Sequence, residues 1–135
     1  MKTESLPETV QAIIAQAGGL GLRGAFTYHC AEPHGEYRSS RPSRLVSEGG
    51  QAFVDYEVGL QCRVNGKPSH AWTLIVAYEP ADVYTVWLVE GHRERKASEM
   101  VLACQRDVYC DTLQSVIEAV YDRAIRDHNQ GFIPL

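Results

Sequence analysis

The amino-acid sequence predicts an α+β fold: a mainly antiparallel five-stranded sheet flanked in sequence by an N-terminal and a C-terminal helix packed on one face. Three observations lead there. Apolar residues recur at helical spacing near both ends, the period switches to two between residues 54 and 90, and turn-forming residues separate the alternating runs.

The first helix is announced by Ser5-Leu6-Pro7-Glu8, a capping box with proline in the first turn. Leu6, Val10, Ile13, Ile14 and Ala17 follow at helical spacing, and Gly18-Gly19 stops the run. Residues 20–30 (LGLRGAFTYHC) read as the first strand, and residues 31–51, rich in Gly, Ser, Pro and charge, as a long loop. In residues 54–64 the even positions are Val54, Tyr56, Val58, Leu60, Cys62 and Val64, which predicts one strand with its even face beneath the helices. Residues 70–78 place His70, Trp72, Leu74, Val76 and Tyr78 on one side and Ala71, Thr73, Ile75 and Ala77 on the other. Between these strands, a three-residue loop with left-handed Gly66 pairs even positions with even ones, which a two-residue Asn65-Gly66 turn does not. Glu79-Pro80-Ala81-Asp82 supplies the next turn, and residues 83–90 and 99–109 complete the sheet. Leu113, Val116, Ile117, Val120, Tyr121, Ala124 and Ile125 form the apolar stripe of the last helix.

With 135 residues the chain fits a single domain, 1–135, large enough to bury a core without a metal or disulfide staple. Its net charge of −4 makes nucleic-acid binding a poor expectation, because phosphate backbones are held by clustered Lys and Arg. The run MKTESLPETV has no apolar centre and no stretch is long enough to span a bilayer, so a cytoplasmic protein with no membrane partner is expected.

The stretch YHCAEPHGEYRSSRPSR, residues 28–44, groups His29, Cys30 and His34 ahead of Arg38, Arg41 and Arg44. Strand parity sends His29 and Cys30 to opposite faces, so they do not close on one metal, and the segment reads as a strand end entering a polar loop. Cys30, Cys62 and Cys104 read as small apolar fillers; their convergence with His70 is the one metal arrangement the pattern leaves open. Cys110 precedes a helix start, but Asp111 beside it opposes a thiolate. The glycines of residues 18–24 follow a helix and precede a strand, the reverse of the dinucleotide-binding order. No catalytic residue, metal or cofactor is therefore assigned. Arg38, Arg41 and Arg44 are the candidate ligand-binding residues, able to hold a small anion through bidentate contacts.

Residues 83–90 are apolar on both faces, so the side of the sheet away from the helices needs a cover. A second copy of the chain is the simplest one, with Phe53, Ile75 and Trp87 as interface residues; residues 31–51 or the tail GFIPL folding across are the intramolecular choices. The expectation is thus a non-enzymatic binding or adaptor protein that works as a homodimer and engages a protein partner or a small anionic ligand through the outer sheet face or the 31–51 loop. The alternative is a small enzyme or ligand sensor with a pocket for an anionic small molecule near residues 31–51.

Overall fold

The computed structural model describes residues 8–18, 27–30, 42–48, 51–56, 58–65, 71–90 and 101–128. Helix α1 spans Glu8–Gln16, with Val10, Ile13 and Ile14 buried as their spacing requires. It ends at Gly18, whose φ of 88° is open to glycine at little cost and whose N–H donates to the Ala15 carbonyl. The capping-box residues 5–7 lie outside the described residues.

Seven strands follow: β1 (Thr27–Cys30), β2 (Arg44–Glu48), β3 (Gln51–Asp55), β4 (Val58–Asn65), β5 (Ala71–Tyr78), β6 (Tyr84–Glu90) and β7 (Val101–Val108). A 3-10 turn, Cys110–Thr112, leads into helix α2, Leu113–His128. The protein is α+β, with two helices and antiparallel sheets among the described residues. One sheet runs in the order β1-β4-β5-β6-β7, and β2 and β3 form a second, two-stranded one. That second sheet corrects the single-sheet expectation. Residues 44–48 belong to a strand rather than to a loop, and Glu48 pairs with Gln51 across a two-residue connection.

The principal core lies between the large sheet and the helices. Val10 and Ile13 of α1, with Ala17 just after its end, join Leu60, Cys62, Leu74, Val76, Val86 and Leu88 of the sheet and Leu113, Ile117, Val120 and Ala124 of α2. Each fully buried Val, Leu or Ile contributes about 1.5–3 kcal/mol relative to exposure, far more than any ion pair on this chain's surface. Trp72 meets Tyr121 edge-on at 6.1 Å, and the Tyr84 hydroxyl donates to Gln16 Oε1 at 2.8 Å, tying α1 to β6.

Three strand expectations change. The run 54–64 is two strands, and Val54 and Tyr56 pack on the opposite side of the large sheet, against Ile75, Trp87 and Val89. In the β4–β5 hairpin even positions do pair with even ones, but Leu60 faces Val76 and Asn65 faces Ala71, so the connection is residues 66–70 rather than three residues. Its conformation, with Gly66 and His70, lies outside the described residues. Strand β7 contains two extra residues. Leu88 pairs with Ala103 while Val89 pairs with Val101, which leaves Leu102 unmatched; Tyr84 pairs with Val108 and Val86 with Gln105, so Arg106 and Asp107 together oppose Thr85. Up to the first irregularity the alternation holds, with Val101 on the outer face and Leu102 in the helix-side core; beyond it the parity is reversed, so Ala103 enters the core and Cys104 packs on the outer face.

At Gly59, paired with Ala77, the close approach of β5 is tightest, because a Cβ there would lie 2.4 Å from the Val76 carbonyl oxygen and 3.1 Å from the Ala77 Cα. Gly59→Ala is expected to lower stability by about 1–3 kcal/mol, since backbone atoms must shift to admit the methyl group. Urea denaturation would show this as a lower midpoint; an unchanged midpoint would mean the two strands separate more easily than their packing implies.

Candidate functional site

The β5–β6 connection builds one wall of the site. Glu79 N–H donates to the Val83 carbonyl and Asp82 N–H to the Glu79 carbonyl, which closes a three-residue loop, Pro80–Asp82, whose last residue is left-handed at φ 64°. A turn extended by one left-handed residue is a favoured hairpin device, and Pro80 suits the position after its first residue. The Tyr78 hydroxyl donates to Asp82 Oδ1 at 2.5 Å, and this bond to a carboxylate, more than burial, pushes the phenol up to about 12.

Within that turn Glu79 points inward and is only 5% exposed. Its partner is Ser43, at the entry to β2: the Ser43 N–H donates to Oε1 at 2.8 Å and the Ser43 hydroxyl to Oε2 at 2.6 Å. The same hydroxyl oxygen accepts from Trp87 Nε1 at 2.8 Å. Arg106 completes the cluster. Its Nη2 donates to the Ser43 carbonyl at 2.9 Å, its Nη1 lies 3.7 Å from Glu79 Oε2, and its guanidinium carbon sits 5.2 Å from the centre of the Trp87 ring. The β7 irregularity aims Arg106 there. Asp107, beside it, is held at φ 58°, a conformation that Asp tolerates better than most residues.

An open cleft of about 420 Å³ lies against this cluster, lined by Pro42, Glu79, Pro80, Ala81, Val83, Thr85, Arg106 and Asp107. Most of its wall is apolar. Arg106 is 46% exposed at its edge, so the guanidinium has hydrogen-bonding capacity left after its contact with Ser43. Thr85 forms part of the floor and is 1% exposed. Its hydroxyl has no hydrogen-bond partner among the described residues, an uncommon condition for a buried polar group.

The residues singled out from sequence fall only partly among the described ones. Arg44 stands on β2 and meets Asp55 across the hairpin at 3.5 Å, a half-exposed pair worth well under about 1 kcal/mol. Arg38, Arg41 and His34 lie outside the described residues. Ile75 and Trp87 are 1% and 5% exposed within the single chain, because Val54, Tyr56 and Ser43 already cover the face on which they lie. The side chain of Phe53 lies outside the described ones; its backbone pairs with Val46. His29 and Cys30 occupy successive positions of β1. Cys62 lies in the helix-side core, where burial pushes its thiol up to about 12, while Cys104 packs on the opposite face. The two therefore cannot share an ion with His70, and among the described residues no three His, Cys, Asp or Glu side chains are placed to hold a metal.

Ser43, Glu79, Thr85 and Arg106 are what sequence reasoning missed. Gly49-Gly50 between two β-rich runs was the available sign of the hairpin that carries Ser43. No family model matches the chain, and comparisons with curated proteins and with solved structures find no match.

Two conservative substitutions read the cluster. Ser43→Ala removes a donor to Glu79 and the acceptor for Trp87 Nε1, and is expected to cost about 1–3 kcal/mol in urea denaturation. Thr85→Val keeps the volume and removes only the unpartnered hydroxyl, so stability should hold or rise by up to about 1–2 kcal/mol. A clear loss on Thr85→Val would show that the hydroxyl is bonded inside the protein.

Proposed function

We propose that this chain is a small non-enzymatic binding domain whose ligand seat is the cleft between the β5–β6 turn, the entry to β2 and the β7 irregularity. The observation that carries the reading is an open, mostly apolar cleft that a half-exposed arginine borders and whose lining includes Thr85, a buried residue without a hydrogen-bond partner among the described residues. Arg106 is held from three sides, by Ser43, Glu79 and Trp87, so little side-chain freedom remains to be lost when a ligand arrives. The volume falls within the range of small-molecule sites, and an apolar wall with a few fixed polar groups is their usual make-up. Among the described residues neither a thiol nor an imidazole lines the cleft, and both oxygens of Glu79 already accept hydrogen bonds from Ser43; that set supports binding better than catalysis.

Self-association through the outer sheet face has less support than this seat, since Ile75 and Trp87 are packed by residues of their own chain. The test is a fragment library titrated into the isotope-labelled full chain, read by amide resonances. Hits are expected to move Ala81, Val83, Thr85, Arg106 and Asp107, while sedimentation reports a monomer with and without ligand. Hits that cluster elsewhere, or a dimer that protects the β2–β3 hairpin, would reverse the reading.

A further inference from the structure

The ligand's chemistry can be taken one step further, and this step rests on the cleft being the binding seat. We infer that the cleft selects a neutral amide-like small molecule, an apolar body carrying a carbonyl acceptor beside an N–H donor, over the carboxylate of the same shape.

The charged groups of the wall make the case. One guanidinium, Arg106, faces two carboxylates, Glu79 and Asp107. Glu79 is the nearer partner of Arg106 and takes up part of its field, at 3.7 Å and in a buried position where screening by water is weak. Asp107 has no ion-pair or hydrogen-bond partner among the described residues and lies open on the cleft wall. A ligand anion would therefore meet a site with more negative than positive charge. An uncharged ligand avoids that repulsion and still finds complementary atoms.

Those atoms fit an amide. The free N–H groups of Arg106 are donors at the cleft edge, and Thr85, a residue of the same lining, lies opposite Arg106 and Asp107 across β6 and β7. A carbonyl oxygen accepts from them, and the neighbouring Asp107 carboxylate accepts the ligand N–H. Pro42, Pro80, Ala81 and Val83 offer surface to an apolar ring or short chain. A site built around hydrogen bonds discriminates strongly against an analogue that leaves its groups unpaired or opposed in charge.

The probes are benzamide and benzoate, nearly identical in shape, each titrated into the labelled full chain and followed at the Thr85, Arg106 and Asp107 amides. Benzamide is expected to bind at least about tenfold more tightly than benzoate. Thr85→Val should weaken benzamide by roughly five- to tenfold, the loss of about one hydrogen bond. Asp107→Asn removes one negative charge while suiting the left-handed backbone, and should narrow the gap by improving benzoate, a change no purely structural role for Asp107 would produce. Benzoate binding as tightly as benzamide would overturn the inference and leave the seat standing. If neither probe moves these amides while other library members do, the amide assignment falls alone; if no library member moves them, the seat falls with it.

Discussion

A carboxylate taken out of water must find donors, and Glu79 finds two on a single residue, the N–H and hydroxyl of Ser43. That pairing positions much else on the second face of the sheet. Ser43 is the residue through which the chain enters β2, so holding it over Glu79 fixes where the hairpin starts. Once there, its hydroxyl oxygen receives Trp87 Nε1 and its carbonyl receives Arg106, so one serine makes four hydrogen bonds to three residues from three parts of the chain. Among the described residues the hydrophobic cluster on this face is small beside the helix-side core: Val54, Ile75, Trp87 and Val89, against nineteen buried residues on the other side. Directional bonds therefore set the hairpin's register there.

The irregularity in β7 converts that scaffold into a site. In a regular ladder one residue of β7 would oppose Thr85; here two do, and the extra residue turns Arg106 across the Trp87 ring toward Ser43 and Glu79. Asp107 absorbs the backbone change in a left-handed conformation. The polar groups of the proposed seat thus come from ordered strands and a tight turn, which hold them in place more firmly than a long loop could.

Much of the architecture was legible because alternation is a local property. Trp72, Leu74 and Val76 and then Tyr84, Val86 and Leu88 lie on the helix side, with Ile75, Trp87 and Val89 opposite, as a period of two requires. The spacing of Val10, Ile13 and Ile14, and of Leu113, Ile117, Val120 and Ala124, marked the helix faces equally well. Legibility failed wherever parity was interrupted. The break between β3 and β4 sent Val54 and Tyr56 to the face opposite Leu60, and the unmatched Leu102 moved Cys104 away from Cys62. Neither break has a glycine or proline to mark it, and hydrophobicity alone does not distinguish a strand that bulges from one that does not. The site was less visible still. Ser43 and Glu79 are common polar residues 36 positions apart, and only the folded chain brings them together.

Strand β7 also closes one side of the five-stranded sheet in the order observed, a position where an unpaired ladder can recruit a strand from another molecule. Two register breaks along it, with Gln105, Arg106 and Asp107 exposed near one end, spoil the straight, apolar template that such recruitment needs. The same distortion that shapes the cleft thus discourages fibrillar stacking, so straightening β7 would trade colloidal solubility for regularity.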